Sequence, residues 1–321
     1  MKIFKKETTG MFEKILGLIE KYDRIIIHRH KNPDGDAIGS QIGLKYILKD
    51  NYPEKEIYAV GDAAGRYAFM EGSTPDAVAD ELYEGALAII LDTSAKSLIS
   101  DDRYEKAAAT ARIDHHLFCE SIAETEVTDS TFESCCGLIT SFAIEAGFSV
   151  SAKAAKLLYT GMITDSGRFR YDSTSAKTFR MAAFLMEKGF RTEDIYRNLY
   201  ADDLAYMQLR ARFTLKINLT DSRVAYTYTT REEAQTLGFD TFTISRGMVG
   251  VMSDIRGVDS WVGFTETEDG VLCEIRSAKY NINPIAKKYG GGGHAKASGA
   301  TLRDREEAMR LLDDLCALSE E

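Results

Sequence analysis

The stretch Ile25-Ile-Ile-His-Arg-His-Lys-Asn-Pro-Asp-Gly-Asp-Ala-Ile-Gly-Ser40 decides how the rest of the chain is read. Its apolar run, Ile25 to Ile27, has the character of a buried strand, and Ala37 to Lys49 has the period of a helix. Between them Pro33 and Gly35 force a turn that presents His30, Asp34 and Asp36 together. A turn at the carboxyl end of a strand is where open α/β sheets bind ligands. One imidazole and two carboxylates aimed at one point attract a divalent cation. The alternative is an ordinary polar turn in which Asp36 caps the helix.

Working outward, a helix at about Met11 to Lys21 precedes this stretch. Strands follow at Glu56 to Gly61, Ala86 to Leu91 and Thr110 to Ile113, the last two running into Asp92 and into Asp114-His115-His116. Helical periods separate them, which predicts an α/β domain with a mainly parallel sheet flanked by helices. Ser130-Thr-Phe-Glu133 reads as a capping box that opens a helix to about Gly147. A helix from about Ser151 to Thr164 stops at Asp165-Ser-Gly167, and others follow at about Thr174 to Lys188, Thr192 to Tyr200 and Asp203 to Leu215.

The pattern then changes. Arg223 to Thr229 alternates like a half-buried strand, and Trp261 to Thr267 with Val271 to Arg276 forms a hairpin around Glu268-Asp-Gly270. A short helix at Asn281 to Tyr289, with Pro284 in its first turn, leads into Gly290-Gly-Gly-Gly-His294. A strand at Ser298 to Leu302 and a helix at Asp304 to Leu318 close a smaller α+β domain. The expected organisation is a catalytic metal-binding domain over 1–190, a helical connector over 191–220 and a C-terminal substrate-binding domain over 221–321.

Composition sets limits. The 321 residues are 44% hydrophobic and 28% charged, an ordinary globular balance. Met1 to Gly10 carries three lysines and no apolar run, so no secretory signal is expected there. Ala86 to Leu91 is far too short to span a membrane. Five cysteines without a CxxC spacing fit a reducing cytoplasm rather than disulfides or a zinc ribbon. A net charge of −10 opposes the coating of long nucleic acid, yet leaves room for a small anionic substrate where positive charge gathers locally.

Such a place lies between Arg276 and Arg303, where six basic side chains occur without an acid. The glycine run lets backbone N–H groups approach a phosphate, His294 can donate to it, and Arg276 can clamp an anion bidentately. A flexible solvated loop is the plainer reading of the glycines. Trp261, Tyr280 and Tyr289 are candidates either for stacking a base or for the core. Arg168 and Arg170 are candidates either for substrate contact or for pairing with surface acids.

Strand-end and helix-end acids recur: the His30/Asp34/Asp36 turn, Asp92, Asp114-His115-His116 and Asp165. The carboxyl ends of parallel strands share one edge, so these groups can converge. Carboxylates gathered without cations would have strongly raised pKa values, and two divalent ions remove that cost. Imidazoles mixed with carboxylates favour manganese, cobalt or zinc over magnesium. All five histidines lie in or beside these motifs.

The motifs His30-Lys-Asn-Pro-Asp-Gly-Asp-Ala-Ile-Gly-Ser40, Asp92, Asp114-His-His116 and Thr164-Asp-Ser-Gly167 resemble the DHH phosphoesterase superfamily. Ile275-Arg-Ser277, Gly290-Gly-Gly-Gly-His294 and Ala297-Ser-Gly-Ala300 resemble its accompanying substrate domain, and the whole is similar to the stand-alone nanoRNase/pAp phosphatase branch. The resemblance implies that His30 and Asp34 bind one metal, that Asp36, His115 and Asp165 bind a second, and that Asp92 bridges them. Manganese is the expected ion, with magnesium or cobalt as substitutes. Asp114 would orient the imidazoles and His116 would contact the scissile phosphate. Arg276, Ser277, Gly291, Gly292, Gly293 and His294 would bind substrate. His28 matches no ligand and reads as structural. Ser298 stands where relatives often carry alanine, a change too small to imply a loss.

The implied activity is hydrolysis of very short single-stranded RNA and pApA-type dinucleotides to mononucleotides, and of 3′-phosphoadenosine-5′-phosphate (pAp) to AMP. Cyclic di-AMP hydrolysis is the alternative enzyme reading, and a non-catalytic nucleotide sensor is the alternative of another class. A cytoplasmic protein, free of membrane and alone or as a homodimer, completes the expectation.

Overall fold

The computed structural model describes residues 10–320, so the basic opening stretch lies outside the described residues apart from Gly10. Contacts divide the chain between Tyr200 and Ala201 into two compact units.

In the first unit, α1 (Glu13–Lys21) leads to β1 (Arg24–His28), α2 (Gly35–Asn51), β2 (Glu56–Ala59), β3 (Leu87–Leu91), β4 (Ala109–Asp114) and β5 (Thr125–Thr128). Helices α3 (Cys135–Glu145), α4 (Ala152–Asp165), α5 (Ala176–Met186) and α6 (Glu193–Tyr200) follow. The five strands pair in parallel in the order β2-β1-β3-β4-β5. The chain winds outward from β1 to β2 and returns to place β3 on the other side of β1. The crevice at the carboxyl ends of β1 and β3 is therefore the switch point at which such sheets bind ligands.

Strand faces explain the layers. Ile25, Ile27, Ile89 and Leu91 face a core shared with the helices, including Ile15, Leu44, Leu138, Leu158 and Ile195. Ile26, Ala88 and Ile90 face the other way, onto Val78, Tyr83, Ile99 and Tyr104. That second layer differs from the helical periods expected between the later strands. Short 3₁₀ turns stand there, at Asp80–Tyr83, Lys96–Leu98 and Asp102–Lys106, while a fourth at Gly65–Tyr67 packs on the helical side. Burial on both faces comes from a helical layer on one side and packed turns on the other.

One cap differs from the alternative reading of the opening turn and another from the expected capping box. Asp34, not Asp36, caps α2, its Oδ1 accepting the amides of Asp36 and Ala37 at 2.9 Å each. Ser134, not Ser130, caps α3 by accepting the Gly137 amide at 2.9 Å. Glu133 is instead buried, receiving the hydroxyls of Ser134 and Thr178. The short β5 was not expected; its Glu126 side chain turns back to receive the amides of Ile122 and Ala123.

The second unit begins with α7 (Leu204–Leu215), β6 (Asn218–Leu219), β7 (Ala225–Thr229), α8 (Arg231–Thr236), β8 (Ser260–Glu266) and β9 (Val271–Ser277). It ends with α9 (Asn283–Lys288), β10 (Gly292–His294), β11 (Ala297–Leu302) and α10 (Arg305–Glu320). The stretch read as a connector is thus divided. Helix α6 buries Ile195 and Leu199 in the first core, while α7 buries Leu209 and Phe213 against Ile244 and Met248. The second sheet has six strands in the order β10-β11-β9-β8-β7-β6, and β7 with β8 is its parallel pair. Val262, Phe264, Cys273 and Ile275 pack one face on Leu311 and Leu315 of α10. No helix among the described residues is long and apolar enough to cross a membrane.

Candidate metal centre and phosphate grip

Each acidic group reaches the switch point for a local reason. The turn after β1 delivers His30, Asp34 and Asp36. Asp92 follows β3 in a left-handed conformation at φ 51°, strain that a non-glycine residue sustains only where its surroundings impose it. Asp165 ends α4, which packs so closely on α2 that a Cβ on Gly39 would stand 2.7 Å from the Leu157 carbonyl oxygen. His115 and His116 follow β4.

The groups converge. His30 Nε2 lies 3.6 Å from Asp92 Oδ2 and 3.8 Å from Asp34 Oδ1. His115 Nε2 lies 3.5 Å from Asp92 Oδ1, 3.5 Å from Asp165 Oδ2 and 3.8 Å from Asp36 Oδ2. Three trios emerge among the described residues, His30/Asp34/Asp92, Asp36/His115/Asp165 and Asp92/His115/His116, each with donor atoms within 4.8 Å of one another, and Asp92 belongs to the first and the third. Asp92 touches both histidines, one with each oxygen.

Hydrogen bonds from behind orient these donors. His30 Nδ1 donates to the Lys31 carbonyl at 2.8 Å and His115 Nδ1 to the Phe132 carbonyl at 3.3 Å, which leaves both Nε2 atoms directed at the carboxylates. Asp114 meets the other imidazole: its Oδ1 is 2.7 Å from His116 Nδ1. Asp36, almost fully buried, accepts the Cys135 amide on Oδ2 at 2.7 Å and the Cys136 amide on Oδ1 at 2.9 Å. Sequence reading missed this cradle at the amino end of α3, because amide donors carry no residue signature.

Charge follows position. Burial opposes a charge on His30, but the contacts with Asp34 and Asp92 outweigh it and raise the imidazole to about 11. The same balance, with Asp92 and Asp36, brings His115 to about 10. Burial, with Asp92 and Asp34 beside it, lifts Asp165 to about 6, against the pull of His115. Burial together with Asp92 and Asp165 also pushes Asp36 upward, against its two amides. Burial would raise Asp92 as well, but the nearby His115 and His30 imidazoles outweigh it and hold this carboxyl well below the usual range. The cluster therefore binds protons where a divalent cation would compete for the same lone pairs. The fit to a cation is direct: Asp92 Oδ1 is buried without a hydrogen-bond donor while three imidazoles surround the carboxylate.

His28 stays out of the cluster. It is fully buried between the rings of Tyr83 and Tyr104, and burial lowers its pKa to about 4. Arg168, with φ 66°, stacks on Tyr200 at 4.6 Å.

In the second unit, strand register aligns Trp261, Arg276, Ala297 and His294 across four strands, so Arg276 and His294 share one sheet face. The glycine run is not a free loop. Gly290, at φ 75°, follows the end of α9, and Gly292–His294 is strand β10. Gly291 and Gly293 lie so close to β11 that a Cβ would collide with the carbonyls of Gly299 and Ala297, whereas Gly292 faces open space. Ser277 does not join this face. Its hydroxyl donates to the Asp259 carbonyl and receives the amides of Lys279 and Tyr280, closing a turn. The local positive charge is also smaller than the segment suggests. Glu274 pairs with Arg276, Asp314 with Lys288 and Glu307 with Arg303, all from outside it. Trp261 is core, packed with Val249 and Met252. Ser298 donates to the His294 carbonyl at 2.8 Å, a bond alanine would lack.

A parallel sheet with aspartates and histidines gathered at its switch point, followed by a second α+β unit, defines a class. The chain belongs to the DHH family, whose N-terminal domain matches residues 24–162, with the DHHA1 domain matching residues 237–321. It is 35% identical, over 97% of its length and 99% of the relative's, to the bifunctional oligoribonuclease and PAP phosphatase NrnA of Bacillus subtilis. It is 33% identical, over 95% and 98%, to the probable bifunctional oligoribonuclease and PAP phosphatase NrnA of Streptococcus mutans. Among solved structures, an exopolyphosphatase-related protein from Bacteroides fragilis superposes with a TM-score of 0.83 at 26% identity, covering 99% of both chains.

Proposed function

We propose that this protein is a cytoplasmic, metal-dependent phosphoesterase that hydrolyses short oligoribonucleotides to mononucleotides and converts pAp to AMP. The observation that carries the reading is the orphaned, buried oxygen of Asp92, the carboxylate shared by two of the three trios. Full-length similarity to proteins named for both activities supports the substrate class.

In this reading His30 and Asp34 hold one divalent ion, Asp36, His115 and Asp165 hold a second, and Asp92 serves both. Mixed imidazole and carboxylate donors favour manganese, cobalt or zinc over magnesium, and manganese is the ion the family resemblance implies. The chemistry such ions supply when bound is activation of water near neutral pH and neutralisation of charge on the phosphoryl oxygens. The protein's own groups do the rest. The Cys135 and Cys136 amides keep Asp36 oriented, and the Lys31 and Phe132 carbonyls fix which nitrogen of His30 and His115 faces inward. His116, tied to Asp114 through Nδ1, presents Nε2 as a donor to a phosphate oxygen. In the second unit Arg276, His294 and the backbone of Gly291–Gly293 receive a substrate phosphate.

The test is release of mononucleotide from a labelled dinucleotide with manganese, beside cyclic di-AMP and pAp. Wild-type protein is expected to cleave the linear dinucleotide and pAp, and Asp92→Ala to lose nearly all of both activities. Substantial manganese-dependent turnover by Asp92→Ala would overturn the reading.

A further inference from the structure

One charged side chain behind the site has no part in the scheme above. Arg112 lies in the middle of β4 and is fully buried. Its strand neighbours Ala111 and Ile113 are core residues. A buried guanidinium is costly to desolvate unless it is well paired, and a well-packed aliphatic residue often serves stability as well or better.

The pairing shows what the arginine does. Residues two apart on a strand share a face, so Arg112 stands beside Asp114. Its Nη2 lies 2.5 Å from Asp114 Oδ2. Its Nη1 donates to the Glu120 carbonyl at 3.1 Å and stands 3.7 Å from Glu126 Oε2. The other oxygen of Asp114, Oδ1, receives His116 Nδ1 at 2.7 Å and the His116 amide at 3.3 Å. Guanidinium, carboxylate and imidazole therefore form one line from the interior to the surface, ending on a side chain 43% exposed. None of the contacts made by Arg112 reaches His30, Asp34, Asp36, Asp92, His115 or Asp165.

We propose that Arg112 is a positioning residue for the reaction, acting on His116 through Asp114. By holding Oδ2 it stops the Asp114 carboxylate from rotating, commits Oδ1 to Nδ1–H of His116, and so directs Nε2 outward to the phosphate. The catalytic consequence rests on the proposed role of His116; the hydrogen-bonded line itself does not. A merely structural arginine would instead act by anchoring the Glu120–Glu126 loop, independently of His116.

The test combines ring spectra with a double-mutant cycle. In chelator-treated protein, histidine ring ¹H–¹⁵N spectra, assigned with His116→Ala, should show a strongly deshielded Nδ1–H on His116. This signal should be lost or shifted upfield in Arg112→Met. With manganese and a dinucleotide, Arg112→Met should lower kcat about 10-fold or more while KM and manganese affinity stay within about twofold. In the His116→Ala background the same change should cost less than about twofold, because residues acting as one unit are not additive. Arg112→Lys keeps the buried charge with a single contact and should show a smaller loss with the same non-additivity; it decides the matter if Arg112→Met does not fold. An unchanged ring signal, or full additivity with His116→Ala, overturns the proposal. If wild-type protein cleaves no dinucleotide, the proposed function fails while the spectra still decide the coupling.

Discussion

The Asp36 carboxylate and the Cys135 amide meet at 2.7 Å although one belongs to the turn after β1 and the other opens α3. With the Cys136 amide on the second oxygen, the amino end of α3 holds this acid in place. An anion there is favoured by the free amides and by the helix dipole. Burial and neighbouring acids push the same carboxyl toward protonation. The cradle keeps Asp36 available as an anion in a site that otherwise disfavours one.

Cys135→Pro tests the cradle. The position is the first residue of α3 and follows an extended Ser134 at φ −160°, ψ 157°, so proline fits the helix but removes one donor to Asp36. Manganese affinity, measured by calorimetry, should fall about 10- to 100-fold with the circular-dichroism spectrum retained. Unchanged affinity would show that the amide contributes nothing to the site.

The histidines set a pH dependence. Folding raises His30 to about 11 and His115 to about 10 from 6.5, and Asp165 to about 6 from 3.8. Groups raised on folding contribute fully below their unfolded values and lose that contribution as pH climbs through the folded ones. His28, lowered to about 4 by burial, works the other way below its unfolded value of 6.5, so chelator-treated protein should melt at progressively lower temperature from about pH 7 to about pH 10. Asp92 is shifted downward, and its opposite effect falls in acid, outside this window. In the proposed reading a divalent ion competes with these protons, so the stabilisation added by manganese should be larger at about pH 9 than at about pH 7. Thermal melts that rise with pH across this range in chelator would sink the assignment.

The glycine run offers paired variants. At Gly293, φ is +132° and an added Cβ would lie 2.6 Å from the Ala297 carbonyl oxygen, while at Gly292 it would meet nothing within 4 Å. Gly293→Ala should destabilise the protein by about 1–3 kcal/mol in urea and raise KM for dinucleotide as β10 shifts against β11. Gly292→Ala should leave the urea midpoint nearly unchanged. Equal effects of the two substitutions would mean that the run is a loop rather than a strand.

Much of the first unit is legible because its signals are local. Ile25–Ile27 and Ala86–Leu91 are apolar over their whole length, as strands covered on both faces must be, and Asp92 stands directly at the end of the second. The turn residues Pro33 and Gly35 mark where β1 gives way to α2. The layer of packed turns over the second face was not legible, because Tyr83, Ile99 and Tyr104 fill it without any periodic pattern. Nor was the assignment of Asp34 rather than Asp36 to the cap. Both residue types cap helices, and backbone geometry chooses between them.

In the second unit the glycines were visible but their reason was not. Gly291 and Gly293 are held by the approach of β11, a contact between residues whose pairing only register reveals. Ser277 was a substrate residue only by what the resemblance implied. Strand alternation turns it to the opposite face, where three groups occupy its hydroxyl.

Residue chemistry and order along the chain determined the class of site: imidazoles and carboxylates at the ends of parallel strands, then a glycine-rich segment and a single arginine at a strand end. Those features are local, and each residue type carries its own proton and metal affinities. Tertiary structure decided how the groups are shared and held. It made Asp92 common to two donor trios, put a helix terminus under Asp36, and ran a buried guanidinium through Asp114 to His116. The physical reason is that hydrogen bonds and ion pairs depend on ångström-scale distances between residues far apart in the chain, which only the packed sheet and helices fix.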